Sequence, residues 1–185
     1  MTYELIIVGG GPAGAAAGVY AARKKINTLL VTYDFGGQSI VSAEIQNWIG
    51  TKSIAGEELA RQLKEHVASY QGPDFKIQEG VKVSAISRAE NSFKVRLDSD
   101  QTLTTKTVLV TTGAERRRLT VPGTKEFEQR GITYCATCDG PLFGGKNVAV
   151  IGGGNAGFET AAQLLSYCPS VTLLHHNQTP KADAI

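Results

Sequence analysis

The sequence predicts an α/β protein built from two three-layer domains, and three observations support this fold class. Two glycine-rich loops, residues 9–14 and 152–157, each follow a continuous apolar run and precede a segment suited to helix. Strand, glycine loop and helix in this order are typical of Rossmann-like units with a parallel sheet. Short alternating strands between the loops predict a β-meander attached to the first domain. We expect domains at residues 1–114 and 115–185, both incomplete at the carboxyl terminus.

Composition excludes several classes of function. Of 185 residues, 42% are hydrophobic and 19% are charged, with a formal net charge of +2, which argues against disorder, nucleic-acid binding and a membrane-surface role. The first apolar run, Leu5–Val8, is too short for a signal peptide or a membrane span. Three cysteines are too few for a secreted disulfide scaffold. A cytoplasmic location is therefore the simplest expectation, and a cysteine pair there is typically catalytic.

The first unit begins with a buried strand at Leu5–Val8, followed by a glycine loop and an alanine-rich helix to about Ala22. In a GxGxxG loop the first glycine allows the tight turn and the second lets a pyrophosphate approach the backbone. The third packs the helix on the strand. Gly9, Gly11 and Gly14 hold these positions. The alternative is an ordinary glycine-rich turn between strand and helix.

A second strand, Thr28–Thr32, should end near the ribose of a bound dinucleotide. Asp34 follows the loop at the usual separation for a carboxylate that binds ribose hydroxyls, but an acid just past the strand can equally be a solvated loop residue. The next segment, residues 35–48, is a long loop, and loops of this length in compact domains are usually functional.

The remainder of the first domain is mainly scaffold. A helix from about Ala55 to Tyr70 has one apolar stripe, and its His66 is expected at the surface. From Phe75 to Asp98 alternating residues predict the β-meander. A buried strand then ends at the turn 112–114, which is placed for a second contact with the same dinucleotide. The basic run 116–118 is read as a basic patch, a solvated hinge or a salt-bridge surface.

The segment Tyr134–Gly140 lies between the two glycine loops and contains the pair Cys135 and Cys138, followed by Asp139. Two cysteines at this spacing can close a disulfide across one turn, and an adjacent carboxylate can supply the proton that thiol chemistry needs. Half of a structural zinc site is the alternative, but such a site needs four ligands. Beyond this pair only Cys168 and three histidines remain, with no ligand spacing, so no metal is expected.

The second unit repeats the pattern with a strand at Asn147–Ile151, the loop 152–157 and a helix. Two such units imply two nucleotide sites, and an oxidoreductase that uses a flavin and a nicotinamide explains both. The last strand, Val171–Leu174, leads to His175 and His176 at the position where an acid would favour NAD and an arginine NADP. Neither is present, so the choice of nucleotide stays open. Cys168 is expected to be a buried structural thiol.

These motifs resemble the low-molecular-weight thioredoxin reductases and the related flavoprotein component of alkyl hydroperoxide reductase. The resemblance covers almost the whole chain. It rests on both glycine loops and on the motifs Gly36-Gly37-Gln38, Asn47-Trp48, Thr112-Gly113-Ala114 and Cys135-Ala136-Thr137-Cys138-Asp139-Gly140.

The resemblance implies FAD in the first site and NADPH or NADH in the second. Residues implied in FAD binding are Gly9, Gly11, Pro12, Ala13, Gly14, Tyr33, Asp34, Gly37, Gln38, Asn47, Val83, Thr112 and Gly113. Residues implied in nicotinamide binding are Gly152, Gly154, Asn155, Ala156, Gly157, Glu159, His175 and His176. NADPH-specific members carry arginines where His176 and Asn177 stand here.

The resemblance also implies catalytic roles. Cys138 corresponds to the thiol that faces the flavin, Cys135 to the thiol that attacks the partner's disulfide, and Asp139 to the acid. Residues 113–118 correspond to the hinge about which the nicotinamide domain rotates. The implied partner is a small thioredoxin-like dithiol protein, and the implied assembly is a homodimer. The alternatives are reduction of a peroxiredoxin system and a truncated, non-catalytic nucleotide-binding fragment, because the family's chain continues beyond Ile185.

Overall fold

The computed structural model describes residues 2–114, 118–128 and 130–183, and the chain divides into two compact units. The first unit consists of Met1–Ala43 and Ile54–Glu115, and the second of Glu44–Ser53 and Arg116–Ile185. The predicted boundary after residue 114 is close to this division. The segment Glu44–Ser53, which the sequence places in the first domain, groups with the second unit. Among the described residues no helix is long and apolar enough to cross a membrane.

The first unit contains one six-stranded sheet with the order β3-β2-β1-β6-β5-β4. Its strands are β1 (Thr2–Gly10), β2 (Thr28–Phe35), β3 (Phe75–Glu79), β4 (Val83–Ala89), β5 (Ser92–Leu97) and β6 (Thr102–Val110), and its helices are α1 (Pro12–Arg23) and α2 (Gly56–Ala68). The pairs β1–β2, β1–β6 and β2–β3 are parallel, whereas β4–β5 and β5–β6 are antiparallel. The sheet thus combines a parallel half with a β-meander.

The core of the first unit lies on both faces of β1, because this strand is paired on both sides and apolar throughout its centre. Ile7 belongs to a cluster with Ala21 of α1 and Val67 of α2. Ile6 belongs to a second cluster on strands β1, β2 and β5. The alternation of side chains along a strand explains why neighbouring residues enter different clusters.

The structure corrects two local predictions in this unit. The segment Phe75–Glu79 was predicted as part of the meander, but as β3 it pairs in parallel with β2. An alternating strand at the edge of a parallel sheet has the same pattern as a meander strand, so periodicity alone does not separate them. In addition, β2 extends to Phe35, so Asp34 lies inside the strand and not past it. His66 is exposed, as predicted.

Among its described residues the second unit contains a two-stranded parallel sheet and three α-helices. Its elements are α3 (Thr124–Phe127), α4 (Ala136–Asp139), β7 (Asn147–Ile151), α5 (Asn155–Leu164) and β8 (Ser170–Leu174). A small core forms from Val150, Leu164 and Cys168. Cys168 is buried and its Sγ donates to the Phe143 carbonyl oxygen at 3.3 Å, which confirms the predicted structural thiol. Of the predicted basic run, Arg116 and Arg117 lie outside the described residues, and Arg118 pairs with Glu128 at 3.3 Å.

The predicted α/β fold with two strand, glycine-loop and helix units is therefore confirmed, with the β-meander attached to the first.

Candidate functional site

The β1–α1 turn of the first unit has the geometry that its glycines predict. Gly9 adopts a left-handed φ of 115°, which a side chain would strain. A Cβ atom on Gly14 would collide with the Gly9 carbonyl oxygen, so the third glycine is required for helix and strand to pack. A Cβ on Gly11, by contrast, would meet nothing nearer than the Gly37 Cα at 3.9 Å. Gly11 therefore borders open space at the amino end of α1.

The carboxyl edge of the parallel strands brings most of the first-site residues together. Gly36 follows β2 and donates its N–H to the Gly10 carbonyl at 3.1 Å, which holds Gly37 beside the loop. Thr111 follows β6, and its hydroxyl lies 2.9 Å from the Val8 carbonyl and 3.1 Å from the Gly9 carbonyl. The neighbouring predicted positions share this edge, namely Pro12, Ala13, Gln38, Thr112 and Gly113.

Tyr33 and Asp34 are exposed at the end of β2, on the same edge of the sheet. The chain before Val83 is fixed there by a hydrogen bond from the Gly80 N–H to the Tyr33 carbonyl at 3.2 Å. As a result the Lys82 ammonium lies 4.6 Å from the centre of the Tyr33 ring, a cation–π contact. Lys82 was not predicted as a site residue, because its contact with β2 depends on tertiary pairing.

Asn47 is placed differently from the other predicted FAD residues. It lies in the segment Glu44–Ser53, which belongs to the second unit. Its contact with a flavin stays a prediction.

The second glycine loop has the same local design and borders a cavity of ≈ 580 Å³. Gly152 adopts a φ of 139°, and a Cβ on Gly157 would collide with the Gly152 carbonyl oxygen. A Cβ on Gly154 would meet no atom within 4 Å. The cavity is lined by residues of the loop and of the chain after β8, namely Ile151, Gly152, Gly153, Gly154, Leu174, His175, His176, Asn177 and Lys181.

The cavity contains both predicted histidines and one cation that sequence reasoning missed. His175 packs so closely on the loop that a Cβ on Gly153 would lie 2.8 Å from the His175 Cβ. Lys181 lies in the lining because its backbone N–H donates to the Gly153 carbonyl at 2.7 Å, which folds the chain back over the loop. Glu159 is exposed on α5 and does not line the cavity.

The other predicted residues of this loop lie at the start of α5. Asn155 and Ala156 are its exposed first residues. The Asn155 side-chain amide donates to the Asp183 carboxylate at 2.7 Å, and its oxygen accepts the Asp183 N–H at 2.8 Å. Asn155 thus fastens the returning chain to the helix.

Cys135 and Cys138 form a disulfide at the amino end of α4, with their Cα atoms 5.3 Å apart. The turn is closed by two further bonds to Cys135: its Sγ accepts the Cys138 N–H at 3.2 Å, and its carbonyl accepts the Asp139 N–H at 3.0 Å. Both cysteines are half-buried. Among the described residues no group of three or more histidines, cysteines or acids is arranged to hold a metal ion.

Asp139 is 7% exposed and lies directly after the disulfide. Its carboxylate accepts a hydrogen bond from the Thr133 hydroxyl, so the buried acid has a polar partner. Thr137, between the cysteines, forms a hydrogen bond with the Gln163 side chain of α5, at 3.2 to 3.3 Å. The disulfide turn is therefore attached to the helix that begins at the second glycine loop. This arrangement combines a disulfide pair, a buried acid and a cavity bordered by a glycine loop in one unit.

Comparison with known proteins agrees with this geometry. The family model described as "Pyridine nucleotide-disulphide oxidoreductase" matches residues 3–184. A curated relative from Pseudomonas aeruginosa, named as a subunit of alkyl hydroperoxide reductase, is 43% identical over 183 residues, which is 99% of this chain and 35% of the relative. A protein named NADH dehydrogenase from Bacillus subtilis is 42% identical over the same share of this chain and 35% of its own length. The chain spans about a third of these curated relatives.

Solved structures match over nearly the whole chain. Thioredoxin reductase from Streptococcus pyogenes has a TM-score of 0.85 at 32% identity, covering 98% of this chain and 58% of that structure. Thioredoxin reductase from Giardia duodenalis has a TM-score of 0.89 at 27% identity, covering 99% and 59%.

Proposed function

The chain belongs to the pyridine nucleotide-disulphide oxidoreductase family, and from that premise we propose that it carries the dithiol centre of a flavin-dependent disulfide reductase. In such a reductase the Cys135–Cys138 disulfide would accept electrons that NADH or NADPH supplies through FAD, and the resulting dithiol would reduce a small disulfide protein. The observation that carries the proposal is the closed disulfide next to a buried acid, in the same unit as a cavity bordered by a glycine loop.

The first glycine loop fits the pyrophosphate of FAD. A side chain on Gly14 would collide with the Gly9 carbonyl oxygen, but a side chain on Gly11 would enter open space. Open space at the second glycine is what allows a pyrophosphate to approach the backbone of the loop. The exposed Asp34 is available to the ribose hydroxyls at the end of β2, next to Tyr33, and Val83 at the start of β4 is a further proposed contact. Thr112, Gly113, Gly37 and Gln38 supply further contacts from the same edge.

The second loop fits a nicotinamide nucleotide for the same reason, since Gly154 borders open space at the amino end of α5. Gly152, Gly157 and Ala156 shape the turn, and Asn155 and Glu159 lie on the first turns of α5. His175, His176 and Lys181 place basic side chains in the lining of the cavity. When bound, the nicotinamide supplies a hydride and the flavin relays the electron pair to the disulfide.

The residues of the chain perform the thiol chemistry. Cys138 is the thiol that faces the electron source, and Cys135 attacks the disulfide of the partner protein. Asp139 supplies a proton to the thiolate that leaves when the Cys135–Cys138 bond breaks. The short turn keeps both sulfurs within bonding distance in the oxidised state.

The first experiment is an absorbance spectrum of the purified chain from about 300 to 700 nm, before and after anaerobic addition of NADH or NADPH. A flavin spectrum that bleaches supports the proposal and identifies the preferred nucleotide. A chain that takes up no flavin from added FAD would instead be a nucleotide-binding fragment without turnover.

Three cysteine variants sharpen this experiment. Cys138→Ser should keep flavin bleaching by the nicotinamide but stop electron transfer to a disulfide substrate. Cys168→Ala is the matched control, because this thiol is buried and outside the disulfide, so the change should leave both steps unaltered. Disulfide reduction that survives in Cys138→Ser and in Cys135→Ser would contradict the assigned roles.

A peroxiredoxin-type acceptor is a second candidate, because the relative at 43% identity is named as part of an alkyl hydroperoxide reductase. The two acceptors can be separated without a flavin. The chain is reduced with dithiothreitol, freed of excess reductant and mixed with oxidised thioredoxin or with an oxidised peroxiredoxin. The acceptor whose thiols appear faster is the favoured partner. The homodimer and the cytoplasmic location implied by the family are part of the same proposal, and sedimentation of the chain tests the former.

A further inference from the structure

We propose that Thr133 is a positioning residue that holds the Asp139 carboxyl group for proton transfer at the Cys135–Cys138 disulfide, an inference that rests on the proposed dithiol function. Thr133 lies two residues before Cys135, outside every motif that identified the site. Its hydroxyl donates to Asp139 Oδ2. The hydrogen bond spans the whole disulfide turn, from the residue before Tyr134 to the residue after Cys138.

The burial of Asp139 makes this contact consequential. At 7% exposure the carboxyl group has lost most of its water, and a buried carboxyl without a polar partner would be costly. The Thr133 hydroxyl is the side-chain partner given by the described residues, and no lysine or arginine of that part of the chain forms a salt bridge with Asp139. Within the described residues the acid is therefore oriented by a neutral hydroxyl.

A hydroxyl partner suits an acid that must change its protonation state. The threonine hydroxyl donates to a carboxylate and can also accept from a protonated carboxyl group, so it remains bonded in both states. Thr133 also reaches the reactive turn directly, since its oxygen lies 3.5 Å from the Cys135 backbone nitrogen, a long contact. One side chain thus joins the acid to the backbone of the first cysteine.

Reduction of the disulfide by dithiothreitol contains the step that Thr133 supports. A dithiothreitol thiolate attacks Cys135 Sγ and forms a mixed disulfide, while the Cys135–Cys138 bond breaks. Cys138 Sγ leaves with the bonding pair and takes up the proton of the Asp139 carboxyl group. The second dithiothreitol thiol then displaces Cys135 and closes a cyclic disulfide, so the reductant loses two electrons and the protein gains two.

The test measures this reduction in the full chain, and it needs neither flavin nor nicotinamide. Aliquots are quenched with a maleimide, and the mass gained reports the free thiols with time. Thr133→Val removes the hydroxyl at nearly constant volume and should slow reduction about five- to thirtyfold, because a misplaced acid loses part of the contribution of general acid catalysis. Thr133→Ser keeps the hydroxyl and should react within about twofold of the wild type.

Two further comparisons separate positioning from a structural effect. Asp139→Asn should be at least as slow as Thr133→Val, and the double variant should be no slower than Asp139→Asn alone, because both changes remove the same contribution. Thr137→Val is the matched control: it removes a threonine hydroxyl from the same turn, but one bonded to Gln163. It should change the rate by less than about twofold. If Thr133→Val lowers the melting temperature, the reduction rates of Thr133→Ala and Thr133→Ser are compared instead.

Equal rates in Thr133→Val and the wild type, slow reduction in Thr133→Ser, or losses that multiply in the double variant would each overturn the inference. These outcomes are independent of the proposed function. A chain that shows the threonine pattern but never bleaches a flavin keeps the role of Thr133 and rejects the reductase. If the flavin of the chain is bleached and a disulfide is reduced, but Thr133→Val reacts as fast as the wild type, the reductase function is supported and the role of Thr133 is rejected.

Discussion

The two glycine loops are alike in backbone geometry but lie in very different surroundings. Gly9 and Gly152 have φ angles of 115° and 139°, and the residues that cap the following helices, Gly11 and Gly154, are both extended with ψ of −177° and 178°. In both loops the third glycine packs against the carbonyl of the first. The surrounding sheets differ, because β1 is paired on both sides in a sheet of six strands, whereas within the described part of the chain β7 pairs with β8 alone.

This difference is seen at the residue immediately before the first glycine of each loop. Val8 is 6% exposed, whereas Ile151 at the equivalent position is 61% exposed. A few local glycines therefore determine the shape of the loop, while the number of strands beside the supporting strand determines how deeply that strand is buried. Substitutions of the glycines test how the loop shape is determined, and substitutions in the strands test how deeply each strand is buried.

The largest effect is expected where a glycine separates helix from strand. Gly14→Ala and Gly157→Ala should each lower the free energy of unfolding of their own unit by about 3 kcal/mol or more, because the new Cβ collides with backbone that cannot move aside. Chemical denaturation measures this. Trp48, the single tryptophan, lies in the second unit and reports its unfolding, and far-UV circular dichroism reports both units.

Gly11→Ala and Gly154→Ala are the matched controls for these variants. Their Cβ atoms enter open space, so stability should change by less than about 1 kcal/mol, the range expected for a change from glycine to alanine at a helix N-cap. Binding of FAD and of nicotinamide should nevertheless fall in the respective variants, because the ligand backbone needs that space. A large loss of stability in Gly11→Ala, or equal losses at the second and third glycines, would contradict the division of roles.

The next effect concerns the strands. Val8→Ala should cost about 2 kcal/mol of unfolding free energy, since a buried valine loses its packing. Ile151→Ala should change stability by less than about 0.5 kcal/mol, because this side chain is mostly in water. The two variants are compared in the same denaturant series. A loss of more than about 1 kcal/mol for Ile151→Ala would show that Ile151 is covered in solution, for instance by a second copy of the chain.

A smaller effect is expected at the first helical residue after each loop. In the first unit this residue is Pro12, which has no side-chain donor, whereas in the second it is Asn155, bonded twice to Asp183. Asn155→Ala should raise the hydrogen-exchange rate of the Asp183 amide about five- to tenfold, the equivalent of roughly 1 kcal/mol for lost hydrogen bonds.

Asn155→Asp is the control for this exchange measurement. Its carboxylate can still accept the Asp183 N–H but places a negative charge beside the Asp183 carboxylate. The Asp183 amide of Asn155→Asp should therefore exchange faster than that of the wild type. Unchanged exchange in Asn155→Ala would mean that the Lys181 N–H, bonded to Gly153, holds the returning chain by itself.

The sequence predicts the features that depend on local chemistry, and these are the glycine loops, the strands leading into them and the disulfide turn. A glycine with positive φ and a CxxC turn need only near neighbours in the chain. The prediction that placed Phe75–Glu79 in the β-meander was wrong, because strand pairing is decided by residues far apart in the chain. Lys82, Lys181 and Thr133 were missed for the same reason: each acquires its role from a contact that no spacing rule encodes.

The smallest effect distinguishes the helix surfaces of the two units. On α2 of the first unit, Arg61 bonds Glu58 and Glu65 at 2.6 Å, whereas among the described residues no salt bridge involves α5. The Arg61 guanidinium, with help from Gln62, lowers the pKa of Glu58 from 4.5 to about 2. A lowered pKa means that the folded state favours the carboxylate, so this stabilisation is complete above pH 4.5 and is lost as the pH falls toward 2.

Carbon-detected NMR of the Glu58 carboxyl group follows this titration directly. The midpoint should lie near 2 in the wild type and move up toward 4.5 in Arg61→Ala, whereas Arg96→Ala, which removes the separate pair with Asp100, should leave it unchanged. Because all three side chains of the α2 network are largely in water, the accompanying loss of stability should be slight and should shrink further in salt. A Glu58 midpoint near 4.5 in the wild type would show that Arg61 does not hold this carboxylate in solution.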